Sequence, residues 1–138
     1  MATIKEIQKE IIEEFDMFED WMEKYEYIIE LGKNLSTIDN KHKVDNNLIK
    51  GCQSRVWLHA EEKDEKIIYT ADSDAIITKG IVAILIRVLS NQNAKEIAKE
   101  DLLFIDKIGF KQQLSQTRAN GLFSMIKQMK IYALAFNK

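Results

Sequence analysis

Across 138 residues there is one cysteine, Cys52, and no proline. One thiol can neither close an internal disulfide nor form a C-x-x-C redox pair. The only two histidines, His42 and His59, stand apart along the chain. Zinc sites draw on about four ligands, commonly paired as C-x-x-C or H-x-x-x-H, so protein-only zinc or cluster ligation is not expected and no metal ligand is assigned. Long apolar runs are also missing. The longest, Ile76 to Leu89, is broken by Lys79 and Arg87 and is too short to span a bilayer, so it reads as a buried core helix and no membrane partner is expected. A net charge of −2 argues against a nucleic-acid partner, whose phosphate contacts would require a basic face. There is no Gly-rich phosphate loop, no G-x-S-x-G elbow, no internal repeat and no low-complexity segment. The acidic, helix-like start lacks the apolar core of a secretion signal, and with the lone thiol this points to a cytoplasmic protein.

What is present fits one domain over residues 1–138, a length that can bury a single core. Charge is unevenly placed: residues 10 to 30 hold nine carboxylates against one lysine, and residues 107 to 138 hold six basic residues and no acid. Solvated helix faces account for this, although an acidic edge can also help dock a partner. Ile4, Ile7, Ile11, Ile12, Phe15 and Phe18 recur at helical spacing, as do Trp21, Met22, Tyr25, Ile28, Ile29 and Leu31 before Gly32. They predict two amphipathic helices, or one with a break near Asp16 to Asp20. Residues 32–47 turn polar, with Asn34, Ser36, Thr37, Asp39 and Asn40 among them, and read as a loop.

Beyond Cys52, Ser54, Val56, Leu58 and Ala60 alternate with Arg55, Trp57 and His59, the period-two pattern of a half-buried strand. Glu62 to Glu65 turns the chain into a second strand, Lys66 to Asp72, as a hairpin. Asp72, Ser73 and Asp74 are placed to cap a helix starting near Ala75. A short helix over 94–99, an apolar connector at 102–105 and a last helix over 117–136 follow, the last with a buried stripe of Ala119, Leu122, Ile126, Met129, Ala133 and Phe136. Helices before and after a small antiparallel sheet predict a single α+β domain.

The chemistry then falls to Cys52. A reactive thiol needs access to its partner and support for its thiolate. Gly51 removes a side chain so that another molecule's backbone can come close, and the position between a polar loop and a strand is an exposed turn whose amides can support a sulfur anion. A free cysteine is also a good small core residue. From these local features alone, a reactive and a structural thiol both stay open.

The segment "IKGCQSRVWL" at 49 to 58 resembles the signature of the SufE family, sulfur acceptors that serve cysteine desulfurases in iron–sulfur cluster assembly. "ADSDAIITKGIVAIL" at 71 to 85, "LSQTRANGLFSMI" at 114 to 126 and "EDWMEKYEYIIELGKNL" at 19 to 35 are similar to further blocks of that family, in its order and spacing. The resemblance implies a SufE/NifU-like fold of the IscU scaffold type, with a small curved antiparallel sheet packed by N- and C-terminal helices. It implies that Cys52 takes a sulfane sulfur as a persulfide from a SufS-type cysteine desulfurase and relays it to a SufBCD-type cluster scaffold. The protein is then a covalent carrier and desulfurase activator, not an enzyme in its own right. It needs no cofactor, pyridoxal phosphate (PLP) belonging to the desulfurase, and it is a monomer or a homodimer.

Arg118 matches the family's arginine and is a candidate to stabilise a sulfur anion, with a structural ion pair to Asp72 or Asp74 as the alternative. Gly51, Gln53, Ser54 and Asp74 are candidates for partner contact, helix capping being the local alternative for Asp74. Trp57 and His59 read as sheet-face residues, with His59 a weak candidate base. The family block often runs His-Leu-Ser-Pro before the arginine, whereas this chain has Gln113-Leu114-Ser115-Gln116, which removes an imidazole role there and loosens the turn. Two rival functions are a cysteine hydrolase pairing Cys52 with His42 or His59, and an adaptor that binds a desulfurase without carrying sulfur. A carrier's persulfide needs shelter, so Cys52 is expected to turn into an apolar hollow supplied by Val56, Leu58 and the last helix.

Overall fold

The computed structural model describes residues 2–35 and 38–136, so Ser36 and Thr37 of the polar segment lie outside the described residues. Helix α1 (Ile4–Asp16) opens with a capping box: the Thr3 hydroxyl accepts from the Glu6 N–H at 3.1 Å, and the Glu6 carboxylate accepts from the Thr3 N–H at 3.2 Å. Helix α2 (Trp21–Lys33) starts afresh on Asp20, whose carboxylate accepts from the Glu23 N–H at 2.9 Å. The sequence left one broken helix or two separate ones, and the Asp20 cap makes them two. Glu14 of α1 accepts hydrogen bonds from Tyr27 of α2 and Arg87, tying three helices at one point and holding the Glu14 carboxyl below its usual range, chiefly through Arg87.

The polar segment is not featureless. Two 3-10 turns, Asn40–His42 and Asp45–Asn47, lead to strand β1 (Val56–Lys63), which pairs antiparallel with β2 (Lys66–Ser73) from Val56↔Ser73 to Lys63↔Lys66. The hairpin turn is the two residues Asp64 and Glu65, with φ of 54° and 67°, which match the strands' twist without a glycine. Val56 and Leu58 of β1 join Ile67, Tyr69 and Ala71 of β2 in the core. The intervening Trp57, His59 and Glu61 therefore face the other way, and the two 3-10 turns pack over β1. Lys43 sits 4.6 Å from the Trp57 ring centroid there.

Helix α3 (Ile76–Leu89) is buried along most of its length and packs on α2 and β2. Its cap differs from the expectation. Ala75 is the N-cap residue and no side chain caps the helix; Asp74 instead accepts from the Arg55 N–H at 3.0 Å, and the Ser73 hydroxyl donates to the Arg55 carbonyl at 2.8 Å. The loop thus claims the Asp74 carboxylate, while the Ser73 oxygen still accepts from the N–H of the N-cap residue Ala75 at 3.3 Å. Where α2 and α3 cross, glycine meets glycine: a Cβ on Gly80 would fall 2.1 Å from the Ile28 carbonyl oxygen, and one on Gly32 would fall 2.7 Å from the Gly80 nitrogen.

After α3 the chain adds a two-residue strand, β3 (Gln92–Asn93), on the open edge of β2, and α4 (Ala94–Lys99), capped by Asn93. The apolar connector coils into α5 (Phe104–Lys107) and α6 (Phe110–Gln113) before α7 (Gln116–Phe136). Helix α7 buries Gly121, Leu122, Met125, Met129 and Ala133, with Ala119, Ile126 and Phe136 packed at the margin of the core. Its face is thus centred nearer Gly121 and Met125 than the apolar stripe indicates. Tyr69 of β2 donates its hydroxyl to the Met129 carbonyl at 2.6 Å, pinning α7 across the sheet. The result is an α+β fold with a three-stranded antiparallel sheet in the order β1-β2-β3.

Candidate functional site: the Cys52 hollow

The loop carrying Cys52 is closed at its base as a sheet extension. Leu48 pairs with Trp57, and the Ile49 N–H donates to the Val56 carbonyl at 2.9 Å. Gly51 then turns the chain with φ of 93°, a conformation that a Cβ makes costly. A side chain there would also come 2.4 Å from the Ser124 hydroxyl of α7. Both constraints press the loop onto the last helix, so Gly51 serves an intramolecular close approach.

That docking turns Cys52 inward. Its side chain is half-buried, and the Sγ–H donates to the Gly121 carbonyl at 3.5 Å. The thiol borders a hollow of about 390 Å³ walled by Gln53 and Ser54 of the loop, Thr78 and Ile81 of α3, and Ser115, Thr117, Arg118, Gly121 and Met125 around α7. An inward thiol was expected, but the walls differ: α3 and α7 supply them, while Val56 and Leu58 of the sheet do not. Only tertiary packing brings Thr78 and Ile81 beside Cys52, though their spacing of three along a helix is the signal that they share a face.

Burial pushes the Cys52 thiol above its ordinary range, and no charged neighbour offsets this. The resting group is a protonated, sheltered thiol. Arg118 borders the same hollow, with its guanidinium 5.9 Å from the Tyr25 ring centroid and its backbone N–H donating to the Ser115 hydroxyl at 3.2 Å. Among the described residues Arg118 forms no ion pair: Asp72 is taken by Lys43 at 3.1 Å and Lys79 at 3.4 Å, and Asp74 by the Arg55 amide. Ser115 also fixes the start of α7 in the place where the proline is missing. Gln53 and Ser54 thus stand at the hollow, whereas Asp74 acts one step away, holding the strand end of the loop.

A hydrolase would need an imidazole at the thiol. Among the described residues no histidine lines the hollow. His42 and His59 lie instead on the outer face of β1 with their rings stacked, 3.5 Å between centroids.

The buried thiol leads to a measurable expectation. The thiolate is the reactive form, and a raised pKa shrinks its fraction at neutral pH. Alkylation of Cys52 by iodoacetamide should therefore be slow in the native protein, climb past the ordinary thiol range of about 8.5, and accelerate on unfolding in urea. A fast reaction with an ordinary midpoint would mean that the loop rests open.

A family model described as "SufE: Fe-S metabolism associated domain" matches residues 9–133. The chain belongs to the SufE family. An uncharacterized SufE-like protein of Rhizobium meliloti (strain 1021) is 41% identical to this SufE chain over 126 residues, covering 88% of it and 90% of the relative. An uncharacterized SufE-like protein of Synechocystis sp. is 35% identical over 135 residues, covering 98% and 85%. SufE-like protein 1, chloroplastic/mitochondrial, of Arabidopsis thaliana is 38% identical over 127 residues, 91% of this chain but 34% of that longer protein. The solution structure of a hypothetical protein from Thermus thermophilus superposes with a TM-score of 0.78 over 94% of each chain, and at 14% identity the likeness is one of fold. Membership of SufE links the chain to Fe–S metabolism. Among the described residues no helix is long and apolar enough to cross a membrane.

Proposed function

We propose that this protein is a sulfur carrier and activator for a PLP-dependent cysteine desulfurase of the SufS type. The observation that carries this is the position of the chain's only thiol, half-buried at the mouth of a hollow in a chain of the SufE family. The Cys52 thiolate attacks the outer sulfur of the desulfurase's cysteine persulfide. One S–S bond breaks, the partner's thiolate leaves, and a new S–S bond forms on Cys52 Sγ, so a single sulfane sulfur moves with no net oxidation. A second exchange of the same class delivers it to a cluster scaffold of the SufBCD type.

The geometry supports a gated carrier. At rest the thiol is protonated and turned inward, which suits storage of an easily lost persulfide. Docking that lifts residues 51–54 off α7 would expose the sulfur, relieve the burial that disfavours the thiolate, and bring it towards solvent beside Arg118. Arg118, free of ion pairing with Asp72 and Asp74, is then available to a persulfide anion. Gly51, Gln53 and Ser54 form the partner-facing loop. The cofactor of the desulfurase has no counterpart in this reading, since sulfur exchange at Cys52 needs none. The reaction is placed in the cytoplasm, where a lone thiol stays reduced.

Intact-mass measurement tests the proposal. After incubation with a desulfurase and cysteine, the protein should gain increments of about 32 Da that peptide mapping assigns to Cys52 and that dithiothreitol removes. Sulfur mapped elsewhere, or no gain, would sink it.

A further inference from the structure

The outer face of β1 carries a second group of chemistry-bearing side chains, outside the hollow. His59 and Glu61 are two apart on the strand and so share that face. The 3-10 turn ending at His42 lies across it and lays the His42 ring on the His59 ring, 8° from parallel. Glu61 Oε1 is 2.9 Å from His59 Nε2 and 3.9 Å from His42 Nε2, and all three donor atoms lie within 4.8 Å of one another. The two histidine side chains are 25% and 21% exposed, sheltered on their faces yet open to an ion from solvent.

We propose that His42, His59 and Glu61 form a binding site for a divalent transition-metal ion, with zinc as the ion of choice. Zinc binds imidazole nitrogen and carboxylate oxygen at about 2.1 Å, so two donors on one tetrahedral ion stand about 3.4 Å apart. The separations of 2.9 and 3.9 Å bracket that value. Closing the site takes a tilt of the stacked rings, so that both lone pairs converge, and no change in strand register. Two imidazoles and one carboxylate suit zinc, copper or nickel and not the all-oxygen preference of magnesium or calcium. Three protein ligands leave the fourth position to water.

The sequence pattern argues against this site because the two histidines are separated and unpaired by any motif. Their meeting depends on the 3-10 turn, which the Asn47 side chain secures by donating to the His42 carbonyl at 2.6 Å. One ligand precedes the Cys52 loop in the chain and two follow it. A bound ion would therefore clamp the base of that loop, next to the Leu48–Trp57 pairing.

The test uses the full chain with Cys52→Ser, which removes the thiol that would compete for zinc. Calorimetric titration with zinc chloride should show one ion per chain, and His42→Gln, His59→Gln and Glu61→Gln should each weaken it at least about tenfold, since even outer-shell changes cost that much. In parallel, the imidazole Cε1–H resonances of the protein with intact histidines should both shift on zinc addition, a readout that does not depend on any histidine variant folding. Absence of stoichiometric uptake, uptake indifferent to the two histidine substitutions, or resonances that stay put while zinc binds would each overturn the site.

Discussion

Cys52→Ser should take up no sulfur at all, while the unaltered protein gains its 32-Da increments under the same conditions, about one sulfur mass each. No second thiol exists to receive the sulfur, and a serine hydroxyl does not attack a persulfide. The substitution is otherwise mild. Cys52 is only half-buried, its one hydrogen bond goes to the Gly121 carbonyl, and a serine hydroxyl can donate to the same oxygen. Melting temperature should therefore stay within a few degrees of the parent, and partner binding should survive in large part. A non-carrying adaptor would keep its stimulation of the desulfurase in this variant, so persistence of full stimulation would decide for the adaptor. Unfolding of the variant would instead mean that the thiol's chief duty is packing.

Gly80→Ala should be the most damaging small substitution in the chain, lowering stability by about 3 kcal/mol, the upper end of ordinary overpacking. The added methyl would lie 2.1 Å from the Ile28 carbonyl oxygen and 2.6 Å from the Ile28 Cγ2. The oxygen is backbone on a facing helix, so no rotamer change relieves the contact and α2 must move away from α3. Melting should fall by roughly 10 °C. Function should suffer with it, because Thr78 and Ile81 on either side of Gly80 wall the Cys52 hollow. A displaced α3 opens that wall, and Cys52 alkylation should quicken in the native variant. Thermal melts together with alkylation rates check both consequences; an unchanged melting temperature would show that the two helices are free to part.

Much of this architecture was legible because periodicity is local. Isoleucines and phenylalanines at helical spacing mark α1, the row from Trp21 to Leu31 marks α2, the alternation from Ser54 marks β1, and the apolar run from Ile76 to Leu89, whose only charged residues are Lys79 and Arg87, marks α3. The six-residue α4 was legible over 94–99, but the shortest elements were not. A two-residue strand such as β3 and four-residue helices such as α5 and α6 contain no full period, and they form because neighbours already in place complete their packing and hydrogen bonds. Capping shows the same limit. Asp74 has the right chemistry for a helix cap, yet a long-range partner, the Arg55 amide, claims it.

The candidate site divides in the same way. By itself the sequence determined that one thiol carries whatever sulfur chemistry there is, that it follows a glycine ahead of a strand, and, through its motifs, which family it resembles. Residue identity and local spacing suffice for that. Only the tertiary structure decided that the inward Cys52 meets Gly121, that Thr78 and Ile81 stand beside it, that Arg118 finds no acidic partner among the described residues, and that His42 lies on His59. Each of these joins residues far apart in the chain. Contacts of that kind are set by how amphipathic faces pack and where the close approach of Gly32 and Gly80 lets helices settle, and no local pattern encodes them.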